Sequence, residues 1–188
     1  KKDGDSPVEL WFQHPFAFLE AASKVSEEFR SILKRTLDAS NNRVSIILYT
    51  DEITPGQALQ PHNTRKVQAV YWSLKEFGFP ILSCEMAWMT ICAPRSDTVA
   101  ELEGSMAELF RYAVKFFVGG PNGPDLRHGV SLFIEGENGS RLVTGRVAMV
   151  VQDERGHKFT CGVKGSGGLK ICALCKNVAA FKSTYLPD

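Results

Sequence analysis

Apolar side chains recur at helical spacing near the start of the chain. Phe18, Ala22, Val25, Phe29, Ile32 and Leu33 line one stripe of a segment opening at Pro15, a residue suited to a first helical turn. The stripe predicts one amphipathic helix, closed by a polar break at 38–42. The next run, 44–49, is apolar without alternation, the pattern of a strand covered on both faces. It delivers the acidic pair Asp51 and Glu52 to a turn at Pro55 and Gly56. Beyond a polar loop at 57–63, Val67, Ala69, Tyr71 and Ser73 alternate with Gln68, Val70, Trp72 and Leu74, which predicts a second strand paired with the first. The apolar bulk of 79–93 predicts a third strand, ended by Pro94. Ser96 reads as an N-cap for an amphipathic helix over 97–118, with Leu102, Met106, Leu109 and Phe110 on its sheet-facing side. A glycine-rich loop at 119–124 follows. Two apolar runs, 129–135 and 142–152, joined by a turn at 136–139, then predict a hairpin.

Candidate chemistry lies where two of these strands end. The strand at 44–49 leads to Asp51, and the strand at 142–152 leads to Asp153. If those strands are neighbours, the two carboxylates converge at one sheet edge and can share divalent metal. Two Mg²⁺ ions about 4 Å apart activate an attacking oxygen and stabilise a leaving one in phosphoryl transfer. Asp and Glu beside Thr-Pro-Gly are also ordinary turn residues, so Asp51 taken alone reads more simply as part of a solvated turn. Glu85, inside an apolar segment, is expected on an open sheet face or paired with a base. Three strands, a helix and a further strand carrying a second aspartate make up a ribonuclease-H-like arrangement. The expected class is therefore α/β, a mixed sheet flanked by helices, with a cysteine knuckle at the carboxyl terminus.

Composition narrows the partners. The chain has 188 residues, 44% of them apolar and 23% charged, enough for one core and a small appendage. Net charge is +1, so no global field draws it to nucleic acid, and phosphate contacts have to come from local bases such as Arg65, Lys66, Lys164 and Lys170. No apolar run approaches the roughly 20 residues of a membrane span. The start at Lys1-Lys2 is expected to be that of a processed product or of part of a longer chain.

The five cysteines, an odd number at uneven spacing, argue against a secreted disulfide framework and for a reducing, intracellular compartment. Cys84 and Cys92 are expected to be small buried hydrophobes. Cys172-Ala-Leu-Cys175, behind a glycine-rich turn, with Cys161 and His157 upstream, has the spacing of a structural Zn²⁺ half-site. A redox pair would normally open a helix in a βαβ context, which the pattern lacks; simple buried thiols are the other reading.

Asp51 in LYTDEITPG, the following TRKVQAVYWSL, and Asp153 followed by KGSGGLKICALCKN together resemble transposases of the CACTA type and related transposon-derived proteins. The resemblance spans roughly 42–177. It implies a ribonuclease-H-like core with an Asp-Asp-Glu metal triad using Mg²⁺ on DNA. Asp51 and Asp153 match the first two acids, and Cys172 and Cys175 match the knuckle. It also implies a nuclear protein. The third acid of that family lies well downstream, whereas after Cys175 this sequence offers only Asp188, and the downstream histidine of the metal site is missing. Two expectations follow: a DNA strand-cleaving or strand-transfer domain, or a non-catalytic descendant serving as a structural or interaction subunit of a larger protein assembly. The expected divisions are a tail and helix at 1–41, the core at 42–156 and the knuckle segment at 157–188.

Overall fold

The computed structural model describes residues 8–55, 65–119 and 124–153, together with 156 and 160. The described chain is an α/β protein with five helices and one five-stranded mixed sheet. Helices α1 (Pro15–Val25) and α2 (Glu27–Ala39) precede the long strand β1 (Arg43–Ile53). Strand β2 (Val67–Leu74), short helix α3 (Gly78–Leu82), strand β3 (Met89–Cys92), helices α4 (Ser96–Ala100) and α5 (Ser105–Val118), and the hairpin β4 (Val130–Phe133) and β5 (Ser140–Val151) follow. The strand order is β3-β2-β1-β5-β4. All neighbours are antiparallel except β1 and β5, which run parallel. A parallel pair needs a long crossover, which the α4–α5 passage and the β4 return strand supply.

Alternation sorts β1 into two faces. Val44, Ile46 and Leu48 join Trp72 of β2, Leu132 of β4 and Val143 of β5 in one buried cluster. The helices close that cluster with Phe16 and Leu19 from α1, Leu33 and Leu37 from α2, and Met106, Leu109, Ala113 and Phe117 from α5. Phe117 packs on Trp72 with ring centroids 5.4 Å apart. The expected sheet-facing side of the second helix is found here: Leu109 and Met106 are buried, and Leu102 and Phe110 pack against the cluster. On the other face Tyr49 and Tyr71 are half-buried, while Met149 and Val151 are exposed.

The expected first and second strands, their pairing and the hairpin are all present. Four local expectations change. The first helical stripe is broken at Ser26, whose extended backbone ends α1 and whose hydroxyl accepts from the Phe29 N–H at 3.1 Å to cap α2. The third strand shrinks to Met89–Cys92, because Gly78 turns the chain at φ 76° and Pro80, with no N–H for a ladder, sits in a helical turn. That segment leaves Cys84 exposed, contrary to its expected burial, whereas Cys92 is buried and its thiol is pushed up to about 12. Glu85, also exposed, lies in a 3-10 turn. Finally, the helix over 97–118 divides at Gly104, which caps α5, and Ser96 is the first residue of α4 rather than its cap, its N–H donating to the Lys66 carbonyl at 2.8 Å.

Among the described residues no helix is long and apolar enough to cross a membrane.

Candidate functional site

Strand β1 does not stop at Tyr49. Its pairing with β2 continues to Ile53 opposite Val67, so Asp51 sits within a hydrogen-bonded strand, opposite Ala69, and not in a turn. The solvated-turn reading of Asp51 is thereby replaced: its backbone is fixed by the sheet. On the other side, Tyr49 of β1 is in parallel register with Val151 of β5. Two residues further along each chain stand Asp51 and Asp153, both exposed. The period of a strand puts Asp51 on the same face as Tyr49, while Asp153 follows the end of β5 at Val151 by two residues.

Each carboxylate has a local neutral donor. The Tyr49 hydroxyl donates to Asp51 Oδ2 at 3.0 Å, and the Gly156 N–H donates to Asp153 Oδ1 at 2.5 Å. Neither aspartate is in an ion pair among the described residues. The Tyr49 ring is stacked on Tyr71, centroids 5.9 Å apart and planes at 20°, with the Trp88 ring edge-on at 5.8 Å. Burial pushes the Tyr49 hydroxyl above its ordinary value, and the hydrogen bond to Asp51 and the charges of Asp51 and Asp153 push the same way. Tyr71 is raised by burial and by Asp51. Both phenols stay protonated donors at neutral pH.

The two aspartates also line a cleft of about 270 Å³ between the strand ends and the starts of α4 and α5. Its helix-facing wall carries Thr50, Glu52, Gln68, Ser96 and Ser105, with apolar Val99, Ala100 and Met106. Glu52 is held in this wall: Lys66 Nζ lies 2.7 Å from its Oε1, and Gln68 Nε2 donates to its Oε2 at 2.8 Å. Thr50 is 3% exposed and its hydroxyl has no partner among the described residues; the same holds for the buried Gln152 Nε2, one register step beyond the Tyr49–Val151 pair. Among the described residues, these two are the buried side-chain polar atoms without a partner, and they stand beside two carboxylates with no ion-pair partner there.

The donor set fits Mg²⁺. That ion is commonly held by one or two carboxylates, with water and substrate phosphate completing its shell, and Asp51 and Asp153 supply that number. Among the described residues no group of three His, Cys, Asp or Glu side chains stands ready to hold an ion without such help.

Of the four bases singled out in the sequence, Lys66 reaches the same sheet edge but is engaged by Glu52, and exposed Arg65 adjoins it. Lys164 and Lys170 lie outside the described residues, as do His157, Cys161, Cys172 and Cys175. Sequence reasoning missed Tyr49, Thr50 and Gln68. Tyr49 was open to it, standing two positions before Asp51 on a strand and therefore on the same face. Thr50 was not, since an orphaned hydroxyl is visible only once its surroundings are assembled.

Compared with protein-family models, with curated proteins and with solved structures, the chain matches none.

Proposed function

We propose that this chain is a transposase-like domain of ribonuclease-H-like descent, in which Asp51 and Asp153 bind Mg²⁺ and engage DNA phosphate for strand cleavage or transfer. The observation that supports the reading is the cleft at the end of the parallel β1–β5 pair, which Asp51 and Asp153 both line. In this reading the ion, when bound, neutralises charge on a phosphodiester and lowers the cost of forming an attacking hydroxide. The chain's own part is to hold one acid within β1 and the other just past the end of β5, with Arg65 and Lys66 near enough to the same edge to meet the DNA backbone. Cys172 and Cys175, with Cys161 and His157, are proposed as a structural Zn²⁺ site following that core.

A second reading has its own support. A strand-cleaving centre of this kind uses a third acid, and none joins the pair among the described residues. A domain left with two acids could persist as a non-catalytic subunit of a larger protein assembly.

Mn²⁺ binding and nicking of supercoiled DNA separate the readings. The catalytic one expects Mn²⁺ to bind, nicking to depend on Mg²⁺ or Mn²⁺, and both to be lost in Asp51→Asn and Asp153→Asn. Binding that both substitutions abolish, without any nicking, favours the non-catalytic descendant. A chain that binds no Mn²⁺ refutes the metal site.

A further inference from the structure

Asp51 is exposed, and an exposed carboxylate at a strand end ordinarily samples several rotamers. Here it does not stand alone. The strand period puts Tyr49 two positions earlier on the same face, and its hydroxyl donates to Asp51 Oδ2 at 3.0 Å. The phenol is itself fixed from two directions, by Tyr71 of β2 stacked at 5.9 Å and by the Trp88 ring edge-on at 5.8 Å. Trp88 is anchored in turn, its indole N–H donating to the Leu82 carbonyl at 3.0 Å. The position of the hydroxyl is thus set by two strands and the segment before β3, not by the exposed end of β1.

We propose that Tyr49 is the positioning residue of the carboxylate pair: its hydroxyl ties down Oδ2 of Asp51 and leaves Oδ1 for a divalent cation shared with Asp153. This rests on the metal-binding reading above. Partners of this sort orient a ligand before the ion arrives, and their loss commonly weakens metal binding by 10-fold or more.

The test is Mn²⁺ titration of the whole chain, read by water-proton relaxation, for the parent, Tyr49→Phe, Tyr71→Phe and Asp51→Asn. Tyr49→Phe keeps the stacked ring and removes only the hydroxyl, and is expected to weaken Mn²⁺ about 10-fold. Tyr71→Phe keeps the Tyr49 hydroxyl and is expected to bind like the parent; Asp51→Asn should lose the site. Equal affinity in Tyr49→Phe and parent overturns the proposal while leaving the metal site standing. Equal weakening in Tyr71→Phe overturns it as well, since packing would then be the cause. A parent that binds no Mn²⁺, or binding that survives Asp51→Asn, removes both this inference and the reading beneath it. Should Tyr49→Phe fail to fold, Mg²⁺ added to the parent and to Tyr71→Phe decides the matter through the tyrosine absorbance. A difference band in both is expected as Asp51 gives charge to the ion, and its absence in both overturns the proposal.

Discussion

Thr50→Val should stabilise the metal-free protein. Thr50 is 3% exposed, on the helix-facing side of β1, and its hydroxyl has no partner among the described residues. Valine has nearly the same shape, keeps the branched Cβ that suits a strand, and carries nothing that needs a hydrogen bond. Leaving a buried hydroxyl unsatisfied costs about 1–3 kcal/mol, so its removal should return about that much. For a chain of this size, each kcal/mol corresponds to roughly 2–4 °C in Tm. Ser73→Ala provides the contrast. Ser73 is equally buried, but its hydroxyl donates to the Ala87 carbonyl at 2.7 Å, so the same kind of change should cost about 1 kcal/mol or more by stranding that acceptor. Urea unfolding in the presence of a chelator, followed by far-ultraviolet circular dichroism, measures both variants against the parent. A Thr50→Val midpoint below the parent's at equal slope would show that the hydroxyl is satisfied in solution, and the argument from an orphaned group at the cleft would fall.

At Gly145 of β5 an added Cβ would overlap the Val44 carbonyl oxygen of β1, so Gly145→Ala should pry apart the parallel pair and cost about 3 kcal/mol; a thermal melt matching the parent's would show that the strands part easily there. Asp125 is hydrogen-bonded and ion-paired to Arg127, which holds its carboxyl down to about 2 from an ordinary value near 3.8. Because the folded value lies below the unfolded one, the stability it contributes is present above about pH 4 and is lost as pH falls through about 2. Unfolding midpoints from about pH 5 to 2 should therefore drop more steeply for the parent than for Asp125→Asn, and parallel curves would refute the pairing. For the knuckle, the purified chain should carry zinc, and chelation should expose 161–181 to protease, since structural zinc contributes on the order of 10 kcal/mol to such segments. Metal-free protein with unchanged resistance would remove the zinc proposal.

Several elements were legible in the order of residues because they depend on local pattern alone. The largely apolar run from Val44 to Tyr49 made β1, the alternation from Val67 made β2, and glycines at 136 and 139 between two apolar runs made the β4–β5 hairpin. The same reasoning failed at 79–93, where apolar content resembled a strand. Gly78 and Pro80 diverted the backbone before a ladder could form, and Phe79 and Met86 ended exposed. Apolar composition records what could be buried; backbone geometry decides whether it is.

The sequence by itself determined that two strands far apart in the chain each lead to an aspartate, and that little net charge is available to attract a partner. It did not determine that β5, rather than β4, lies against β1, nor that the pair is parallel with Tyr49 in register with Val151. Those features depend on the long crossover from Ile53 to Ser140 and on which faces the helices cover, terms that no local window contains. Lys66 turned to Glu52, the Thr50 hydroxyl left without a partner among the described residues and Tyr49 wedged between Tyr71 and Trp88 are likewise products of the assembled sheet. Each needs side chains from separate strands to meet, and a side chain's environment is fixed only when its neighbours across the sheet are.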